Sequence, residues 1–75
     1  MIRYQIRVNV GSEERTIMFY FVHKEWQSKS DEEQNKEFDD AVKELNRIYK
    51  EYGRFATTTA VTRLFDKYGF ERSIK

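Results

Sequence analysis

Apolar and polar residues alternate strictly at the start of the chain: Ile2, Tyr4, Ile6, Val8 and Val10 share one parity, with Arg3, Gln5, Arg7 and Asn9 between them. A period of two predicts a half-buried strand over 2–10. A second run, Thr16 to His23, is dense in β-branched and aromatic residues and predicts a strand over 15–23, with Gly11-Ser12-Glu13-Glu14 as the hairpin loop. That loop sets Val10 against Arg15, and the register follows: Val8 with Ile17, Ile6 with Phe19, Tyr4 with Phe21, Ile2 with His23. One hairpin face is then almost wholly apolar. The other carries Arg3, Gln5, Arg7, Met18, Tyr20 and Val22.

Beyond a polar connection from Lys24 to Lys29, the pattern changes period. Ser30-Asp31-Glu32-Glu33 has the capping-box form, a Ser N-cap with Glu three residues on. Phe38, Ala41, Val42, Leu45, Ile48, Tyr49 and Tyr52 then recur at steps of three and four, the stripe of an amphipathic helix over 31–52, about six turns long. Gly53 supplies its stop, and Glu32 with Lys36 and Asp39 with Lys43 are spaced for i,i+4 pairing. Thr57, Thr58 and Thr59 each suit the cap of a second helix over 58–68, whose stripe is Val61, Leu64, Phe65 and Tyr68. With Gly69 just past its end, Phe70 and Phe65 hold the positions that touch in a Schellman motif. Residues from Glu71 onward read as a frayed tail. A competing reading makes Phe55 to Thr59 a third strand, since threonine favours strands.

These elements define a single α+β domain over residues 1–75 of ββαα type: a β-hairpin of two antiparallel strands, packed by a long amphipathic helix and a shorter C-terminal helix. The expected core is Ile6, Phe19, Phe21, Phe38, Val42, Leu45, Tyr49, Leu64 and Phe65. With 39% hydrophobic and 36% charged residues, the chain is too aromatic for a disordered tail and too charged for a membrane span. No signal-peptide or membrane-length apolar run occurs, so the expected location is the cytoplasm.

The net charge of +1 conceals a segregation. Residues 1–30 hold five basic and three acidic groups, residues 31–53 four and eight, and residues 54–75 five and two. Both ends are basic and the middle is acidic, with Asp39 and Asp40 within the acidic run. A split of this kind argues for surfaces of different sign rather than a uniformly basic nucleic-acid binder.

Reactive groups are few. Cysteine is absent, which removes disulfides, zinc-thiolate sites and thiol catalysis. His23 is the only histidine and lies beside no recognisable nucleophile, so it reads as a partly buried strand-end residue. The acidic residues lack calcium-loop spacing and read as a solvated helix face or a docking surface for a basic partner. The isolated glycines form no nucleotide loop. Arg54 with Thr57, Thr58 and Thr59 could hold a phosphate, but a threonine cap is the favoured reading, since caps are nearly universal at helix starts. The expectation is a non-enzymatic protein without metal or cofactor.

The outer hairpin face carries more information. Met, Tyr and Val in a row, rimmed by Arg, are more than a solvent face needs and fit a contact surface, unless Phe55, Phe70 or the tail folds over it. Trp26, in a polar loop, reads as a lid on the core, with an exposed anchor as the alternative. The expected function is a small protein-binding module, an inhibitor or adaptor that blocks a partner's surface, using Arg3, Arg7, Met18, Tyr20, Val22, Trp26, Asp39 and Asp40, with a homodimer as one form of such pairing. The alternative is a nucleic-acid-binding regulator that uses Tyr20 with Arg3 and Arg7, or Thr59, Thr62, Arg63 and Lys67 on the C-terminal helix. In size and charge the chain is similar to small single-domain phage and mobile-element proteins that bind and block a host component, a likeness that involves no motif.

Overall fold

The computed structural model describes residues 1–10, 15–52 and 57–73. The element order is β1 (Tyr4–Val10), β2 (Arg15–His23), α1 (Asp31–Tyr52), α2 (Thr58–Lys67) and β3 (Phe70–Arg72). The hairpin forms in the register that the alternation predicts, from Tyr4 opposite Phe21 to Val10 opposite Arg15. Strand β1 begins at Tyr4, so Ile2 lies outside the ladder.

The C-terminal segment departs from the sequence reading. Phe70–Arg72 is not a frayed tail but a third antiparallel strand on the free side of β2, pairing Phe21 with Arg72, Val22 with Glu71 and His23 with Phe70. The sheet is three-stranded, in the order β1-β2-β3. Its cause is the helix stop at Gly69, which adopts φ +94 and donates its N–H to the Asp66 carbonyl at 3.0 Å. This positive φ turns the chain back along β2 where a β-branched residue could not. The Phe65 and Phe70 rings then meet edge to face, centroids 6.5 Å apart. The alternative third strand is not formed: Thr57 caps α2, its hydroxyl accepting the Ala60 N–H at 3.1 Å, and Thr58 and Thr59 are helical. Phe55 and Ala56 of that alternative lie outside the described residues.

At the start of α1, the Ser30 hydroxyl accepts the Glu33 N–H at 3.2 Å and donates to the Glu33 carboxylate at 3.4 Å. Helix α1 runs in the same direction as β1: near its start Tyr4 stacks on Phe38 at 4.4 Å, and near its end the Tyr49 hydroxyl donates to the Asn9 carbonyl at 2.7 Å. Helix α2 lays Phe65 flat on Phe21, centroids 4.4 Å apart. Both helices therefore cover the same sheet face.

Of the expected core, Phe19, Phe21, Leu45, Leu64 and Phe65 are buried, while Ile6, Phe38, Val42 and Tyr49 are half-buried against it. Val8, Val10, Ala41, Val61 and Phe70 complete it. Tyr52, assigned to the stripe, is instead 78% exposed.

Candidate functional site

Because both helices lie on one side, the other side of the sheet holds what the alternation left over. Arg3, just before β1, and Gln5 and Arg7 on it stand exposed, Met18 and Tyr20 are half-exposed on central β2, and Glu71 is exposed on β3. The open alternative for this face was a cover of Phe55, Phe70 or the tail. Phe70 is in the core, packed on Phe38 and Tyr4 at 5.4 Å each, and residues 70–72 extend the sheet sideways instead of crossing it, while residues 74–75 lie outside the described residues. Phe55 lies outside the described residues. The face is therefore bare of any described helix or strand and has an aromatic residue near its middle.

Not every expected contact residue joins it. Val22 is on this face by parity but only 7% exposed, paired with Glu71 on β3, so it backs the surface without presenting much of itself. Trp26 sits in the turn after β2 and is 38% exposed, so it is not a buried lid on the core. Asp39 is exposed and Asp40 half-exposed on α1, in the other layer. The structure thus brings together Arg3, Arg7, Met18 and Tyr20, and leaves Trp26, Asp39 and Asp40 apart from them.

Of the acidic residues of α1, only Glu44 and Glu51 form ion pairs within the helix among the described residues. Neither Glu32 with Lys36 nor Asp39 with Lys43 is among the ion pairs; Arg47 instead grips Glu44 and Glu51 on either side, at 2.6 and 3.1 Å. These bonds raise the Arg47 pKa, and the Arg47 guanidinium holds the Glu44 carboxyl below its ordinary range. At the C-terminal helix, Thr59, Arg63 and Lys67 are exposed, but the Thr62 hydroxyl is spent on the Thr58 carbonyl at 2.9 Å.

A second place is shaped by chemistry that the sequence only partly revealed. A cleft of about 280 Å³ opens between the end of β2, the following turn, α1 and the end of α2, with His23 and Glu37 in its wall. His23 is fully buried rather than partly so, at 2% exposure. Its Nδ1 accepts the Glu25 N–H at 2.9 Å, so the remaining ring proton belongs on Nε2, which lies 3.2 Å from Glu37 Oε2. The other Glu37 oxygen receives the Lys29 ammonium. Lys29 first, and His23 after it, hold the Glu37 carboxyl below the usual carboxylate range against the opposing effect of burial. Lys24 pairs with Asp66, and its N–H reaches the Gly69 carbonyl at 2.8 Å.

Both ring nitrogens are engaged, Lys24 is matched by Asp66 and Lys29 by Glu25 and Glu37, while Lys67, also in the cleft wall, enters no ion pair among the described residues. The group can tie β2, the turn, α1 and the Gly69 corner together, and it leaves the imidazole no free lone pair for a substrate or a metal. No cluster of His, Cys, Asp or Glu suited to a metal occurs among the described residues. Gln34, also unforeseen, is buried at the same corner, where its amide donates to the Trp26 and Lys29 carbonyls at 3.4 and 2.9 Å. Its signal was available, since it stands four residues before Phe38 on the buried stripe.

Comparison with known proteins gives no match: no family model fits the chain, and no curated protein and no solved structure is significantly similar to it. No described helix is long and apolar enough to cross a membrane.

Proposed function

We propose that this protein is a small binding module that acts by occupying the surface of a protein partner, as an inhibitor or adaptor, through the bare face of its sheet. One observation carries the reading: both helices pack on one side, which leaves Tyr20 and Met18 half-exposed on the central strand between Arg3 and Arg7. Tyr and Arg concentrate binding energy because each couples a large contact area to directional hydrogen bonds. A rigid sheet presents them with little ordering cost.

Site-specific photocrosslinking in the native host cell tests it. A photoreactive phenylalanine analogue at position 20 should give discrete protein adducts, and one at Lys43 on α1 should not. Equal labelling from both positions, or none from position 20, would remove the face from consideration.

A second reading rests on the same tyrosine. Tyr20 flanked by Arg3 and Arg7 could stack a nucleobase and neutralise its phosphates. Weak binding is expected, because Glu71 borders the face and the first turn of α1 carries Asp31, Glu32 and Glu33. Sub-micromolar, sequence-dependent binding to single-stranded RNA at moderate salt would favour this reading over the first.

A further inference from the structure

We infer that the bare sheet face takes a second copy of this chain, docked face to face about a two-fold axis parallel to the strands, with Arg3 of each copy against Glu71 of the other. This rests on reading the face as a protein-contact surface and names its occupant. The charges on the face are few and asymmetrically placed. Arg7 stands on β1 and Arg3 just before its first residue, two positions to either side of Gln5, which pairs with Tyr20. Glu71 stands on β3, opposite Val22. Continuing the β1–β2 register one residue beyond Tyr4 and Phe21 puts Arg3 beside Val22, so Arg3, Val22 and Glu71 form one row across the sheet. Arg3, Arg7 and Glu71 enter no ion pair among the described residues.

An axis parallel to the strands keeps each row level and exchanges the two edges of the sheet. Strand β1 then lies over the partner's β3, and Arg3 meets the partner's Glu71 twice, once on each side. Met18 and Tyr20, on the central strand, fall along the axis and pack against their own images. An axis running across the strands through the Gln5 and Tyr20 row would instead place Arg3 over the partner's Arg7, setting like charges together twice. Charge therefore selects one of the two face-to-face arrangements.

Two sheets pack with a rotation of about 30°, which offsets the row ends by roughly 4 Å, a gap that Arg and Glu side chains span. Closed two-fold pairing is the usual assembly of identical chains. Strands of seven, nine and three residues offer a face roughly 14 Å wide, about 23 Å long on β1 but only about 10 Å long on β3, so the contact is small and its association weak and concentration-dependent.

Sedimentation equilibrium on the full chain at low salt, up to about 1 mM, tests the arrangement. The unmodified protein should self-associate. Arg3→Glu and Glu71→Arg should each lower the association constant about tenfold or more, and an equimolar mixture of the two should recover it, since every introduced charge again faces its opposite. Both positions are exposed, so thermal melts of the variants should match the parent. A parent that stays monomeric throughout, or a mixture no tighter than its components, overturns the arrangement. Adducts to a different protein from position 20, together with a monomeric parent, would overturn the dimer alone and leave the face as a contact surface.

Discussion

Substituting Gly69 by alanine perturbs the corner on which the third strand depends. Two costs are separable. The first is conformational: φ is +94 there, and placing a Cβ in that region costs about 1–2 kcal/mol. The second is steric, because the new Cβ would lie 2.9 Å from His23 Nε2 and 3.1 Å from Cε1, with Glu37 Oε2 at 3.5 Å. The ring cannot swing aside cheaply, since the Glu25 N–H holds Nδ1 and Phe70 packs edge to face at 4.9 Å. Displacing it weakens a charge-assisted hydrogen bond to Glu37, roughly 1.5–3 kcal/mol. Together the costs come to about 2.5–5 kcal/mol, a large share of the stability of so small a domain. Urea denaturation of a double-mutant cycle with His23→Ala separates them: with the ring gone, Gly69→Ala should cost only the conformational part. Equal cost in both backgrounds, or less than about 1 kcal/mol in the parent, would refute the steric reasoning.

Glu37→Gln should flatten the acid limb of the stability profile. The folded carboxyl binds its proton less tightly than the unfolded one, so the contribution is complete above the usual carboxylate range and is lost as pH falls through the lowered Glu37 value. Chemical denaturation from neutral pH down to about pH 3 should show the parent losing more stability than the variant. Phe70→Ala removes a fully buried ring that touches Tyr4, His23, Phe38 and Phe65, and should cost about 3–5 kcal/mol by thermal or urea unfolding. A loss under about 1 kcal/mol would mean that β3 is peripheral to the fold.

The hairpin and α1 were legible because each signal agreed with its neighbour. Alternation fixed parity, the four-residue loop fixed register, and Ser30 with Glu33 fixed the helix start. The outer face was legible for the same reason, since parity alone places Arg3, Arg7, Met18 and Tyr20 together. Strand β3 was not, because three residues are too few to show a period of two and Glu71 and Arg72 are polar. Its one clue was Gly69, whose positive φ decides where the chain goes next and not merely where the helix ends. The burial of His23 could have been inferred from its parity with Phe19 and Phe21. Its bond to Glu37 joins residues 14 apart through the fold, and no local pattern encodes that.

The pairing of His23 with Phe70 has a consequence in time as well as in space. Strands β1 and β2 close a short loop, and helices nucleate locally, so these parts can form early and fast. Strand β3 must instead find a partner nearly fifty residues back, and the entropy of closing that loop is lost before its contacts return anything. Until residues 70–72 arrive, the far edge of β2 has no partner from its own chain and the Tyr4, Phe38 and Phe65 rings lack the one that sits among them. Topology thus predicts that the step that seals the core comes last, and that a chain waiting for it is most exposed to pairing with a neighbour.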